Sequence, residues 1–248
     1  TGACRQTKCL NYRMIKIFRK IRYDLMGQNK TVKYFKYAIG EIILVVIGIL
    51  IALSINNWNE QRKSNIKTTV FLKSLENDLT NDALQIDSIY RFRMQREKVF
   101  KLLAQEIDTY TEVHINMIDS LYSETQGRNP TFFPIIGAYN GAINSGTFED
   151  LSNEGLKQSI RNLYERYYKR LSYNGNLLDD RVEKIIWERL SFYNKSKSII
   201  FDPSVIRSGK LLAQSEYLRT INNRYIELLI SNQSQIPLII NLIKKELN

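Results

Sequence analysis

Apolar residues follow two different patterns along the chain. Residues 42–55 form a charge-free run in which eleven positions are Ile, Leu or Val, so a helix through this run is apolar on every side. Beyond residue 60, apolar residues recur every three or four positions, as in helices with one buried face. Alternating, strand-like patterns are absent. The sequence therefore predicts an all-α protein with one N-terminal transmembrane helix, followed by an antiparallel bundle of about four long helices.

The predicted transmembrane helix covers residues 37–58. Twenty-two helical residues span about 33 Å at 1.5 Å each, which matches the hydrocarbon core of a bilayer. Aromatic residues flank the segment on both sides, with Trp58 at the far end, as is typical of membrane-spanning helices. Two alternatives are a signal peptide cleaved near residues 52–54 and a buried helix of a soluble protein.

The bundle prediction depends on a seam of apolar residues and on a few breaks between helices. The seam is interrupted at Asp82 and follows a spacing of about 3.5 residues through Leu72, Leu75, Leu79, Ile86 and Ile89. A break at residues 127–130 precedes an apolar loop at residues 132–136. We also expect residues 174–176 to kink or split one long helix, and Pro237 to kink or divide the last one.

Positive charge is concentrated ahead of the predicted span. The formal net charge is +11, yet residues 1–36 hold ten Lys or Arg against one acid, whereas the other 212 residues hold 26 basic and 24 acidic side chains. This asymmetry argues for a membrane rather than a nucleic acid as the partner. Because basic residues beside a span stay in the cytoplasm, we expect residues 1–36 to be a cytoplasmic leader. Residues 59–248 then form a helical domain outside the cytoplasm of a single-pass membrane protein, and in a bacterium with two membranes this domain lies in the periplasm.

The leader itself contains a basic amphipathic helix. Its pattern starts at Met14, which we interpret as the natural start of the protein. Such a helix is expected to lie on the anionic inner leaflet, through Lys16, Arg19, Lys20 and Arg22. The alternative is a solvated leader that only sets topology.

One face of the predicted span combines small and polar residues. The residues of this face, which we call the association stripe, are Glu41, Val45, Gly48, Ala52 and Asn56. Gly48 and Ala52 form a small-xxx-small pair that allows two helix backbones to approach closely. We therefore predict that the stripe mediates self-association, or docking to the helix of another membrane protein. The alternative is a chance arrangement in which Glu41 only reaches towards the headgroups.

Candidate chemistry is sparse. Cys4 and Cys9 both lie within the first ten residues and His114 is the one histidine, which excludes a disulfide framework and the common zinc motifs. Phosphate-binding, dinucleotide-binding and nucleophile-elbow motifs are also absent from the sequence. We therefore predict no catalytic residue, no metal ligand and no cofactor. The acidic group at residues 179–183 is interpreted as a solvated helix face.

Four aromatic residues offer one alternative to a purely structural domain. Phe132, Phe133, Tyr139 and Phe148 are a candidate pocket for a small ligand. The simpler interpretation is that they close one end of the bundle core.

Several segments of the chain resemble a known family. They are residues 14–22 (MIKIFRKIR), 36–41 (KYAIGE), 46–53 (VIGILIAL) and 55–60 (INNWNE). Over residues 14–62 the sequence is similar to a widespread, uncharacterised family of single-span membrane proteins of the Bacteroidota. Residues 142–146 and 153–156 are also similar to that family, whereas Ser54 stands where glutamine is expected. The resemblance implies topology and lineage and supplies no catalytic residue.

Three functions from different classes are compatible with these features. The preferred hypothesis is a non-enzymatic interaction or scaffolding protein held in the membrane. The first alternative is a periplasmic ligand-sensing bundle that signals through a partner. The second is a hydrolase without metal, built from carboxylates and tyrosines.

Overall fold

The computed structural model describes Tyr23, residues 31–192 and residues 202–248. These described residues form helices joined by turns and loops, without a β-strand, which confirms the all-α prediction. The chain divides into two compact units, Thr1–Lys63 and Ser64–Asn248.

In the first unit, the apolar run of residues 42–55 is helical and solvent-accessible. It belongs to helix α1, which extends over Thr31–Asp108. Every Ile, Leu and Val between residues 42 and 55 is exposed. Among the described residues, α1 is the one helix long and apolar enough to cross a membrane, and none of its most apolar window is buried. The alternative of a buried helix in a soluble core therefore does not fit the described part of the chain.

In the second unit, α1 is followed by several shorter helices and one long final helix. A 3-10 turn at Glu112–His114 leads into α2. The helices are α2 (Ile115–Gln126), α3 (Gly137–Ser145), α4 (Glu154–Asn162), α5 (Lys169–Arg189), α6 (Pro203–Arg207) and α7 (Lys210–Leu247). A π-helical turn, Leu163–Tyr168, joins α4 to α5, and a 3-10 turn, Leu190–Phe192, follows α5.

Local sequence explains where several of these helices begin and end. The Asn153 side chain accepts a hydrogen bond from the Leu156 backbone N–H at 3.0 Å and so caps α4. Asp202 accepts from the Ser204 N–H at 2.9 Å, with Pro203 at the first position of α6. Gly146 ends α3 with a φ of 77°, a left-handed conformation that glycine adopts without strain.

The core of the second unit is built on the predicted seam of α1. All five seam residues, Leu72, Leu75, Leu79, Ile86 and Ile89, are buried. Two ion pairs connect α1 with α7, Glu76 with Lys244 at 3.6 Å and Glu97 with Arg219 at 2.9 Å. The later residue of α1, Glu97, pairs with the earlier residue of α7, Arg219. These two helices therefore run in opposite directions.

Neither long helix is divided at the two expected positions, and one π-helical turn was not expected. α5 continues through residues 174–176 without splitting. A Cβ on Gly175 would lie 3.1 Å from Tyr225 Oη and 3.2 Å from Thr131 Cβ, so glycine serves close packing there. α7 likewise continues through Pro237 without dividing. The π-helical turn at Leu163–Tyr168 was not predicted.

Candidate functional site: the clamped loop

The predicted association stripe lies on one face of α1. Val45, Gly48, Ala52 and Asn56 are exposed and Glu41 is partly exposed. At 100° per residue, the five positions fall within about 80° around the helix axis. The predicted membrane-surface residues Lys16, Arg19, Lys20 and Arg22 lie outside the described residues.

The four predicted pocket aromatics do not form one group. Phe132, Tyr139 and Phe148 are buried in the core, and the Tyr139 and Phe148 ring centroids are 5.5 Å apart. Phe132 packs against Tyr168 of the π-helical turn at 5.0 Å. Phe133, in contrast, is 67% exposed. The structure thus separates Phe133 from the other three residues, which contribute to core packing.

A more elaborate arrangement surrounds the irregular segment between α2 and α3. We call residues 127–136 the clamped loop. Backbone N–H and C=O groups outside helices and sheets need other hydrogen-bond partners. Side chains of α1, the π-helical turn, α5 and α7 supply them here.

Two buried arginines of α1 hold the first half of the clamped loop. Arg93 donates to Asn129 Oδ1 at 2.6 Å and to the Pro130 carbonyl at 2.7 Å. Arg96 donates to the Arg128 carbonyl at 2.7 Å, and to the carbonyl of Thr125 at the end of α2. Each guanidinium therefore bridges two acceptors, using the fixed fork of donors that arginine provides.

Three further α1 side chains hold the second half of the loop and the start of α3. Gln85 donates to the Phe133 carbonyl at 3.2 Å and accepts from the Phe133 N–H at 2.8 Å. Asp82 accepts from the Ile135 N–H at 3.0 Å, and Asp78 from the Ala138 N–H at 3.2 Å. The interruption of the apolar seam at Asp82 thus has a structural reason, since the carboxylate binds the loop backbone.

The opposite side of the loop is bonded to the other helices. The Tyr225 hydroxyl of α7 accepts from the Phe132 N–H at 2.9 Å. The Tyr164 hydroxyl donates to the Ile135 carbonyl at 3.2 Å. Asp179 of α5 accepts from Thr131 at 3.0 Å and also from the Asn129 side-chain amide. The loop is therefore held from both sides.

Burial shifts the titration of the groups that hold the loop. Burial lowers the pKa of Arg93 to about 10, and it also lowers the pKa of Arg96. Burial also raises the pKa of Asp82 to about 6, which the hydrogen bond from Ile135 partly opposes. The pKa of Tyr225 rises to about 12 because the hydroxyl is buried. At neutral pH the two arginines are cationic and most Asp82 side chains are ionised.

The outer side of the clamped loop is apolar. Phe133, Ile135 and Ile136 are all exposed, and we call them the apolar display. The backbone of Phe133 is bonded to Gln85, and that of Ile135 to Asp82 and Tyr164. The arrangement presents apolar side chains to the exterior from an ordered backbone.

The acidic and imidazole groups near the loop have partners within the chain. Within residues 31–192 and 202–248, no group of three or more His, Cys, Asp or Glu residues is placed to hold a metal ion. Asp179, part of the acidic group at residues 179–183, accepts hydrogen bonds from the loop. His114 Nδ1 lies 3.4 Å from Glu106 Oε2.

The apolar loop was predicted from the sequence, whereas the arginines that hold it were not. One signal was available, because Arg93 and Arg96 continue the spacing of Ile86 and Ile89 towards Phe100. A charged residue at a seam position is buried only with polar partners, so this register indicates an irregular backbone segment nearby.

Comparison with known proteins gives one relationship. Residues 41–227, more than half of the chain, match a family of unknown function (DUF6090). No curated protein and no solved structure matches the chain. The matched region contains the association stripe and the clamped loop.

Proposed function

The chain belongs to the DUF6090 family, whose function is unknown, and we propose that it is a membrane-anchored, non-enzymatic interaction module. In this proposal the second unit works as an antiparallel bundle of about four long helices that binds another protein through the apolar display. The partner is a second protein chain in the same membrane. The observation that carries the proposal is the clamped loop, where the backbone of the exposed residues Phe133 and Ile135 is hydrogen-bonded to side chains of α1 and the π-helical turn.

Membrane anchoring is supported by the exposed apolar run in α1. Eleven Ile, Leu and Val side chains between residues 42 and 55 have no cover from the described part of the chain. On an insertion scale each contributes about −0.3 to −0.6 kcal/mol, or roughly −3 to −7 kcal/mol in total. A bilayer is the solvent that removes this surface from water.

The proposed topology follows from charge. The ten basic residues of positions 1–36 are retained on the cytoplasmic side of a bacterial inner membrane. The second unit then lies in the periplasm. This topology and an origin in the Bacteroidota are what the sequence resemblance described above also implies.

Binding by the apolar display is supported by its energetics. Leaving Phe133 67% exposed forgoes the stabilisation of a buried aromatic ring. Because Gln85 and Asp82 already hold the backbone of Phe133 and Ile135, less conformational entropy is lost when a partner binds. Aromatic side chains on ordered surfaces are the typical anchors of protein interfaces.

Self-association through the association stripe is the second part of the proposal. Gly48 and Ala52 allow a second helix to approach the backbone. Glu41 on the same face is better placed in a protein interface than against lipid. The expected product is a homo-oligomer in the membrane.

A photocrosslinking experiment tests binding by the apolar display. A photoreactive amino acid replaces Phe133 in one variant and Trp187 in the control, which is exposed to a similar extent at 68%. Illumination in intact cells is expected to give a discrete crosslinked species from position 133 alone. Adding Ile136→Asp to the same chain should remove that species. Equal products at both positions, or none at position 133, would contradict the proposal. Mass spectrometry then identifies the partner chain.

A pair of glycine substitutions tests the association stripe. Gly48→Ile places a bulky side chain on the stripe, and Gly40→Ile places the same side chain on another face of α1. A Cβ at either position meets nothing within 4 Å, so neither position is closely packed within the described chain. We expect Gly48→Ile alone to reduce cysteine crosslinking between copies, measured in a background lacking Cys4 and Cys9. An equal reduction by Gly40→Ile would show that the stripe has no special role.

The topology has its own test. Alkaline phosphatase, fused after Asn248, is expected to be active because it folds in the periplasm. A cytoplasmic reporter at the same position should be inactive. The reverse result would overturn the proposed orientation while leaving the crosslinking tests valid.

A further inference from the structure

A small cavity lies between α5 and α7. Its volume is about 110 Å³, and its polar lining consists of Asn174 and Arg181 from α5 with Arg224 and Tyr225 from α7. Leucine and isoleucine side chains complete the walls. Because a water molecule takes up about 30 Å³ in the liquid, the cavity has room for a few waters. It is smaller than the roughly 300–1,000 Å³ of pockets for drug-sized ligands.

Both arginines of this cavity lack a carboxylate partner. Within the described ranges, neither Arg181 nor Arg224 forms an ion pair or donates a hydrogen bond to an acid, and the Arg181 guanidinium instead lies over the Tyr217 ring at 5.7 Å. Other arginines of the same two helices are paired, Arg189 with Asp119 at 3.1 Å and Arg219 with Glu97 at 2.9 Å. The cavity therefore brings together two cations whose counter-charge is not supplied by the described chain.

The acidic residues nearest in sequence on the two helices do not pair with Arg181 or Arg224. Asp180 follows Asp179 on α5 and Glu227 lies three residues beyond Arg224 on α7, and neither lines the cavity. Asp179 is committed to Asn129 and Thr131 of the clamped loop.

We propose that this cavity binds a phosphate group through Arg181 and Arg224. Guanidinium groups bind phosphate oxygens through two parallel hydrogen bonds, and a phosphate monoester carries a charge of about −1.5 to −2 at pH 7. Two arginines match that charge. The source is either free phosphate or the phosphate ester of a larger molecule such as a lipid headgroup. The proposal is independent of the apolar display.

Calorimetric titration of the full chain in a neutral detergent with inorganic phosphate tests the site. The double variant Arg181→Gln/Arg224→Gln is compared with Arg170→Gln, which removes one exposed charge from α5 outside the cavity lining. We expect saturable binding that weakens by about tenfold or more in the double variant, because charge-assisted hydrogen bonds are lost. Arg170→Gln should bind like the unmodified chain. Similar weakening in Arg170→Gln, or binding that does not saturate, would overturn the proposal.

Two additions keep the result interpretable. Circular dichroism of each variant verifies folding, and Arg181→Lys/Arg224→Lys keeps the charge while removing the fork of donors. If the glutamine variants do not fold, the lysine variants are compared instead, and unchanged affinity in them would contradict bidentate binding. A parallel titration with glycerol 3-phosphate separates the sources. Tighter binding of this ester indicates a headgroup-like ligand, and equal binding indicates free phosphate.

Discussion

Helix α1 contains two stretches whose apolar side chains differ in exposure. Between residues 42 and 55 the Ile, Leu and Val side chains point to all sides and are exposed. Between residues 71 and 107 most apolar residues recur on one face and are buried by other parts of the second unit, whereas Leu84, Met94 and Leu102 are exposed. The first stretch is therefore long and apolar enough to span a membrane, whereas the second packs into a protein interior.

The two stretches also differ in how they treat charge. The first is charge-free from residue 42 to residue 55, as is typical of segments that span a bilayer, which offers no partner for an isolated charge. The second buries Asp82, Arg93 and Arg96 at its core face. It can do so because the backbone of the clamped loop supplies hydrogen-bond partners. A buried face in this protein is therefore defined by available partners as well as by apolarity.

The largest effect is expected from removing one clamping arginine. Arg93→Ala leaves the Pro130 carbonyl and Asn129 Oδ1 without their donor and empties a buried volume. We expect the free energy of unfolding to fall by about 3–5 kcal/mol, measured by urea denaturation of the full chain in detergent. Arg91→Ala is the matched control, because Arg91 is exposed and pairs only with Asp87. Its effect should stay within about 0.5 kcal/mol. Equal losses of unfolding free energy in the two variants would show that Arg93 contributes no more to stability than the exposed Arg91.

A charge in the first stretch should have the next largest effect. Val46→Arg near the centre of the span is expected to cost about 3 kcal/mol of insertion free energy. Val70→Arg, at an exposed position of the same helix beyond the apolar run, should cost little. The measurement is the fraction of chain that stays in membranes after an alkaline wash. Equal retention of both variants would argue against a bilayer as the solvent for residues 42–55.

The buried carboxyl of Asp82 should make the stability of the second unit depend on pH. The carboxyl has a pKa of 3.8 as an ordinary residue and about 6 in the fold, where burial disfavours its charge. Between these pH values the folded chain binds more protons than the unfolded chain, so the contribution of Asp82 to stability falls as the pH rises and levels off above about pH 6. The loss amounts to about 3 kcal/mol.

Asp82→Asn tests this assignment, because asparagine keeps an oxygen acceptor for the Ile135 N–H and does not titrate. The stability difference between the variant and the unmodified chain should shift by about 2 kcal/mol in favour of the variant between pH 4 and pH 7. Chemical denaturation at each pH measures it. A difference that stays constant over this range would mean that Asp82 titrates as an exposed carboxyl.

The smallest effects come from two helical glycines in different surroundings. Gly175→Ala forces a Cβ to within 3.1 Å of Tyr225 Oη and should reduce stability by about 1–3 kcal/mol. Gly141→Ala on α3 meets nothing within 4 Å and should increase stability by up to about 1 kcal/mol. Thermal unfolding followed by circular dichroism is sensitive enough for both. Effects of the same sign would contradict the close packing inferred at Gly175.

The helical class and the apolar seam could be predicted because both are local. Periodic spacing identified Leu72, Leu75 and Leu79 as buried. The unbroken course of α5 through Gly175 could not be predicted in this way. Glycine and its neighbours favour a break in isolation, whereas the contacts with Tyr225 and Thr131 come from residues distant in sequence.

The sequence by itself determined that the chain is helical, that residues 42–55 are too uniformly apolar for a one-sided helix, and that residues 132–136 form an apolar loop. Only the tertiary structure decided which side chains hold that loop and that Phe133 faces outward while Phe132 faces the core. It also brought Arg181 and Arg224 to one cavity. The reason is physical: helix formation and apolar periodicity depend on neighbours within a few residues, whereas hydrogen bonds such as that of Phe132 with Tyr225 join groups 93 residues apart. Their partners become defined only when the helices pack.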